Sequence, residues 1–126
     1  MNAPFFFRWK AFEKGEILSD EIFHLSKRFP NVEKFSLTDQ IRRSSRSVCA
    51  NLAESYAKRR YPKHFTSKLT DSQGENYETM SWLRSARRCQ YINNEEYIHF
   101  FELAMEVEKL LCYMLKHQEK FRGEFR

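Results

Sequence analysis

Glycine and proline are scarce, at three residues each in 126. That excludes a turn-rich β architecture and any glycine-rich loop able to cradle phosphates. No apolar run approaches the roughly 18 residues needed to span a bilayer. The start, MNAPFFFRWKAF, lacks a basic region followed by a long apolar core, so it does not read as a signal peptide. The three cysteines, Cys49, Cys89 and Cys112, are odd in number and far apart. They do not form a disulfide framework or a zinc-ligand spacing, and they predict reduced, packed thiols in a cytosolic protein. Gly-x-Ser-x-Gly is absent, as are internal repeats and low-complexity tracts.

What is present is helical. Charged residues make up 31% of the chain and phenylalanine alone occurs 12 times. This composition suits long helices with charged outer faces around an aromatic core. The length allows one domain, residues 1–126, with a core that needs no staples.

The organising stretch is SLTDQIRRSSRSVCANLAESYAKRR, residues 36–60. Leu37, Ile41, Ser44, Val48, Leu52 and Ser55 recur in steps of four and three, which puts them on one stripe. Ser36 and Asp39 suggest a capping-box start. Ser44, Ser45, Ser47, Ala50 and Ala53 line the seam and predict close packing. Before it, a helix over about 10–28 carries Gly15, Leu18, Ile22, Leu25 and Phe29, and Pro30 stops it. Residues 1–9 read as an extended aromatic arm that packs on the body or on a neighbouring subunit.

After it, Pro62 opens a helix over about 62–89. Its stripe is Phe65, Leu69, Ser72, Asn76, Thr79, Leu83 and Ala86, polar through the middle, with Gly74 placed to permit close contact. Asn93 or Asn94 caps a last helix over about 95–120 with seam Tyr97, Phe100, Ala104, Val107, Leu111 and Met114. Phe101, Leu103, Leu110 and Leu115 widen that apolar arc, which predicts contact with another subunit. Four helices with short links imply an all-α, up-down-up-down antiparallel four-helix bundle.

Charge is unevenly placed. The whole chain carries +5, but residues 42–68 hold eight basic side chains against Glu54 alone. Such segregation suits an anionic partner, or simply a solvated basic face. Arg42, Arg43 and Arg46 share a helical sector, and Lys58, Arg59, Arg60 and Lys63 surround the next turn, with Tyr56 and Tyr61 as stacking planes. The expected mechanism is phosphate contact with RNA or DNA, largely independent of sequence. Alternatively, Arg42 and Arg43 are taken up in ion pairs with acids such as Asp39.

Two Glu-x-x-His pairs, Glu21/His24 and Glu96/His99, raise a di-iron carboxylate site. Both histidines fall off the apolar seams, so no metal and no cofactor is expected. Glu54 and Glu78 read as buried structural acids bonded to neighbours such as Arg43, Asn51 or Asn76, rather than as a catalytic pair.

Phe29-Pro30, Leu37-Thr38, Gln40-Ile41-Arg42-Arg43, Ser47 and Asn51-Leu52-Ala53-Glu54 resemble the four-helix-bundle proteins linked to 23S rRNA intervening sequences. That family typically reads FP, then GLT-QIRRA--S, then NIAEG. Later positions fit too, namely Phe65, Leu69, Gly74, Glu78, Leu83, Ala86 and Tyr91, so the likeness spans about residues 12–92. The resemblance implies a homopentamer with no known catalytic activity. A retroelement accessory protein looks like the same fold, and its basic pentamer implies nucleic acid and a reverse transcriptase as partners. Val48-Cys49-Ala50 departs from the family's Ile-Pro-Ser, and Ser55 replaces its glycine.

Overall fold

The computed structural model describes residues 5–123, and among them it contains helices and no strand. The four main helices are α1 (Lys10–Ser26), α2 (Leu37–Ala57), α3 (Pro62–Arg88) and α4 (Asn94–Lys116), followed by a short α5 (Gln118–Arg122). α1 packs on α2 and α4, and α3 packs on the same two helices. They form a helical bundle around one core. Cross-helix contacts pair Phe12 with Cys49 and Ser26 with Arg42; Val48 meets Ser72, and Ser44 meets Thr79.

The apolar stripes explain which faces turn inward. Every residue of the predicted stripes of α1, α2 and α3 is buried, Phe29 beyond α1 included. On α4 the same holds except at Tyr97, which is half-buried. The polar middle of α3 is buried with most of its groups bonded, although Asn76 Oδ1 is buried without a partner. Thr79 Oγ1 and Ser44 Oγ lie 2.8 Å apart, Ser72 Oγ donates to the Val48 carbonyl at 2.8 Å, and Asn76 Nδ2 donates to the Ala104 carbonyl at 2.9 Å.

Several ends differ from expectation. α1 stops at Ser26 and α2 at Ala57. α2 has no side-chain cap from Ser36. Instead the Ser36 hydroxyl donates to the Glu33 carboxylate, which also accepts the Leu37 amide at 3.3 Å. α4 begins with a capping box between Asn93 and Glu96. It ends at Lys116, and the backbone of His117 leaves the helical region, so the chain turns into α5 rather than running on to 120. Of the proposed small-residue seam, Ser44 and Ser45 are buried, Ser47 and Ala53 are half-buried, and Ala50 is exposed.

The expected extended arm is not extended over its described part. Phe5–Arg8 form a 3-10 turn, and residues 1–4 lie outside the described residues. Phe6 packs on Tyr56 at 5.1 Å between ring centres, while Trp9 is buried edge-on against Phe65 and Phe121. These rings seal the end of the bundle where α2 passes into α3. Apolar rings gather there because each would otherwise hold a large surface in water.

The close helix contact expected at Gly74 is found at Gly15 instead. A methyl group on Gly15 would lie 2.7 Å from Cys49 Sγ, whereas one on Gly74 would meet nothing within 4 Å. Gly15 therefore sets the approach of α1 to α2, and Gly74 is an exposed weak point. Gly74→Ala should stabilise the fold by about 0.5–1 kcal/mol. Gly15→Ala should destabilise it by about 1 kcal/mol, overpacking outweighing helix propensity. Adding Cys49→Ala to Gly15→Ala should recover most of that loss in a urea titration. Equal shifts of one sign for both single variants would refute the assignment.

Candidate nucleic-acid interface

The basic residues of α2 do not form the single sector expected of them. Successive helical residues step by about 100°, so Arg42 and Arg43 diverge. Arg43 turns to α3 and pairs with Glu75 at 2.9 Å and with Glu78. It also reaches Gln40 and Ser47. The hydrogen bond it donates to Glu78 is the main reason its pKa is raised. Its charge is thereby met by acids of α3, not by Asp39.

Arg42 and Arg46 turn instead to α1. The guanidinium of Arg42 lies over the Phe23 ring at 4.8 Å, and its Nε donates to Ser26 Oγ at 2.7 Å. Arg46 lies over the same ring at 5.4 Å and Lys27 at 4.8 Å. Three cations thus surround one half-buried aromatic ring, a favourable arrangement because the ring face is electron-rich. Among the described residues none of the three makes an ion pair with a carboxylate. Lys27 and Phe23 were missed by the sequence reading. Their spacing of four was a usable signal, but Arg42 reaches them only across the bend at Pro30.

The second basic group lies at the far end of α2, about 24 Å along the axis from Arg42 to Lys58. Lys58, Arg60 and Lys63 are exposed there. Arg59 is half-buried, stacked over Tyr56 at 4.1 Å and donating to the Tyr56 carbonyl at 3.0 Å. Arg122 of α5 donates to the Arg59 carbonyl at 2.7 Å and adds a further cation. Tyr56 is covered by Phe6, Trp9 and Arg59, so it offers no stacking face. Tyr61 is exposed beside His64.

The acids read as buried are less buried than expected. Glu54 is exposed and pairs with Lys68 at 3.1 Å. Glu78 is half-buried between Arg43 and Trp82 Nε1, and Asn51 is half-buried, donating to the Ser47 carbonyl at 2.9 Å. Each lies on the flank of its helix, where long cations reach it more cheaply than in the core. The buried acid is Glu108 on α4, whose Oε1 accepts from Gln73 and Tyr77 at 2.8 Å and from the Cys112 thiol at 3.2 Å. Its Oε2 is buried without a partner. The carboxylate raises the pKa of both Tyr77 and Cys112. Burial pushes the Cys49 thiol up to about 12.

The two Glu-x-x-His pairs split up. Glu21 meets His99 at 2.9 Å across α1 and α4, His24 packs on Phe23, and Glu96 bonds Arg28. No group of three or more ligating side chains occurs among the described residues. A hollow of about 460 Å³ between the start of α2 and the end of α3 is lined by Leu37, Trp82 and Cys89, with Glu33 as its one carboxylate. Glu33 is held there by Ser36, the Leu37 amide and the Tyr91 hydroxyl. No helix among the described residues is long and apolar enough to cross a membrane.

Comparison with known proteins now decides the family. The model of the 23S rRNA-intervening sequence proteins matches residues 8–113. The chain belongs to that family. A crystal structure of a protein with unknown function from the S23 ribosomal protein family of Bacteroides thetaiotaomicron superposes with a TM-score of 0.76. It is 31% identical, over 84% of this chain and 95% of that one. No curated protein matches. No catalytic family is indicated, and the FP and QIRR segments lie within the matched residues.

The links at the Phe23 end also set an acid limit on stability. Hydrogen bonds from Ser36 and then Tyr91 hold the Glu33 carboxyl below the usual carboxylate range, and Arg28 and the Asn93 amide do the same for Glu96. Glu33 in turn pushes the Tyr91 hydroxyl up to about 12. A carboxylate depressed in the folded state stabilises above its unfolded pKa, and that contribution is lost as pH falls through the folded value. Thermal unfolding midpoints should therefore drop below about pH 4.5. In a Glu33→Gln/Glu96→Gln variant the midpoint should be lower at neutral pH and the acid drop shallower. A parallel curve would show that these two acids do not carry it.

Proposed function

We propose that this protein is an oligomeric four-helix bundle, up-down-up-down in topology, that binds RNA or other nucleic acid through basic surface and performs no catalysis. The observation that carries the reading is the pair of cationic groups at the two ends of α2, with Arg46, Lys58 and Lys63 exposed and in no ion pair with a carboxylate among the described residues. A solvated helix face normally intersperses acids with its cations, as Lys68 with Glu54 and Asp71 does here. The family description supplies the rRNA connection.

The separation of about 24 Å would match roughly seven phosphates of one duplex strand. Arg43 leaves the proposed contact set because Glu75 and Glu78 hold it. Arg42, Arg59 and Arg60 stay in it as flanking cations.

The bundle topology is supported by the order of cross-helix contacts, which pair late α1 with early α2 and early α1 with later α2, and run in opposite directions along α2 and α3. For assembly, the supporting feature is an outer stripe on α4. Ile98, Phe101, Met105, Glu108 and Cys112 recur in steps of three and four, with Ile98, Met105 and Cys112 exposed and the Glu108 Oε2 unsatisfied beside them. A homopentamer closed through this stripe is the assembly we favour. A protein partner such as a reverse transcriptase on the same stripe is the second reading, in which the protein serves as a scaffold.

Two experiments follow. Reversing Arg46, Lys58 and Lys63 to Glu should weaken RNA binding by at least about tenfold and lower the log–log salt slope by about 3. Helical circular dichroism should be retained, and unchanged affinity would remove the basis of the reading. Separately, Ile98→Glu/Met105→Glu should lower the sedimenting mass to that of one chain. An unaltered oligomer would exclude the α4 stripe as its interface.

A further inference from the structure

A small hollow of about 150 Å³ opens at the corner where α1 passes into α2. Ser26, Lys27, Asn31, Lys34, Thr38 and Arg42 line it. Three of these are cations and none is an acid. The nearby acids face elsewhere. Glu33 bonds Ser36, the Leu37 amide and Tyr91, and it lines the other hollow. Asp39 is exposed and does not line this one.

Thr38 is the second, independent sign. It is only 6% exposed, and its hydroxyl is buried with no hydrogen-bond partner. A buried hydroxyl left unpaired is costly, and an arriving acceptor would remove that cost. Thr38 also sits in the first turn of α2, where backbone amides lack intrahelical acceptors and the helix dipole favours an anion.

The cations are held in position beforehand. Ser26 Oγ donates to the Phe23 carbonyl at 3.0 Å and accepts Arg42 Nε, which fixes the guanidinium plane against Phe23 and leaves its terminal nitrogens for a ligand. Lys27 rests on the same ring, and Lys34 on Phe35 at 5.4 Å. A guanidinium fork beside a hydroxyl and two ammonium groups is a donor set for tetrahedral oxyanions.

We propose that this hollow binds a phosphate monoester, the terminal phosphate of a nucleic-acid strand. The choice of a strand as its source rests on the function proposed above. A monoester carries about −1.5 to −2 at neutral pH, which answers three cations better than the single charge of a backbone diester. A terminal group also enters a corner hollow without drawing chain through it on both sides. The site is distinct from the exposed cations at Lys58 and Lys63, which would follow the strand's backbone.

The test uses one short single-stranded RNA in three forms, with a 5′-phosphate, with a 3′-phosphate, and with hydroxyls at both ends. The full-length protein should bind one phosphorylated form at least about tenfold more tightly than the hydroxyl form, the size of one charge-assisted hydrogen bond. Thr38→Val and Lys34→Glu should each abolish that preference, and Thr38→Ser should keep it. The Arg46/Lys58/Lys63 reversal should weaken all three forms. Equal binding of the three forms by the wild type would overturn the pocket and leave nucleic-acid binding standing. A preference that survives both Thr38→Val and Lys34→Glu would also overturn it. If no RNA form binds, the functional reading falls and inorganic phosphate decides the pocket. Phosphorus-31 line broadening lost in Thr38→Val would uphold the pocket with free phosphate as its ligand, and no broadening would end it.

Discussion

The contact between α2 and α3 is the constraint on which the rest depends. It is made of small polar residues, Ser44, Ser72 and Thr79, with Asn76 behind them, all wholly buried. Small side chains let two helices approach closely, but each hydroxyl brought inside must find a partner. Thr79 finds Ser44, and Ser72 finds the Val48 carbonyl. Sliding α3 by one turn would orphan these groups together, at about 1–3 kcal/mol each. An all-leucine seam would tolerate such a slip far better. Polar satisfaction thus sets the register, and the register sets the surface. It places Glu75 and Glu78 opposite Arg43 and leaves Arg42 and Arg46 turned towards α1.

The two ends of the bundle are closed by different chemistry. One end is sealed by rings, with Phe6, Trp9, Tyr56, Phe65 and Phe121 in mutual contact. The other is laced by polar bonds between the links, where Tyr91 donates to Glu33 at 2.7 Å and Arg28 reaches both Glu96 and the Tyr91 carbonyl. Gln90 takes a positive φ of 65° there, reversing the chain between α3 and α4. The acids of this lacing, Glu33 and Glu96, and the three of α3, Asp71, Glu75 and Glu78, are all taken up in hydrogen bonds or ion pairs. The charge surplus seen in the sequence is therefore sharpened in the folded chain, since the pairing acids consume Arg43 and Lys68 and leave Lys27, Arg42 and Arg46 without carboxylate partners among the described residues.

The stripes of the four helices were legible in the sequence because helical periodicity is a local property. A residue three or four positions from a buried one shares its face, so Leu18, Ile41, Leu69 and Leu111 could be placed inside without any tertiary information. The Pro62 start and a cap at Asn93 or Asn94 were legible for the same reason, since each depends on neighbours within one turn, and the structure chose Asn93. The family signatures, FP and QIRR, are likewise contiguous. Gly15 and Gly74 were not separable in this way. Both lie inside helices, and only the position of Cys49 on another helix distinguishes Gly15 as a close contact.

Helix faces, the polar seam and the segregation of positive charge into residues 42–68 were thus determined by the sequence alone. The tertiary structure decided which of those charges remain available. Arg42 and Arg43 are adjacent in the chain and chemically identical, yet one rests on Phe23 of α1 and the other is held by two acids of α3. The corner formed by Lys27, Lys34, Thr38 and Arg42 likewise exists only because the link at Pro30 folds α1 back on α2. Periodicity reports the angle at which a side chain leaves its own helix. What stands opposite that side chain depends on how distant segments pack, and no local pattern carries that information.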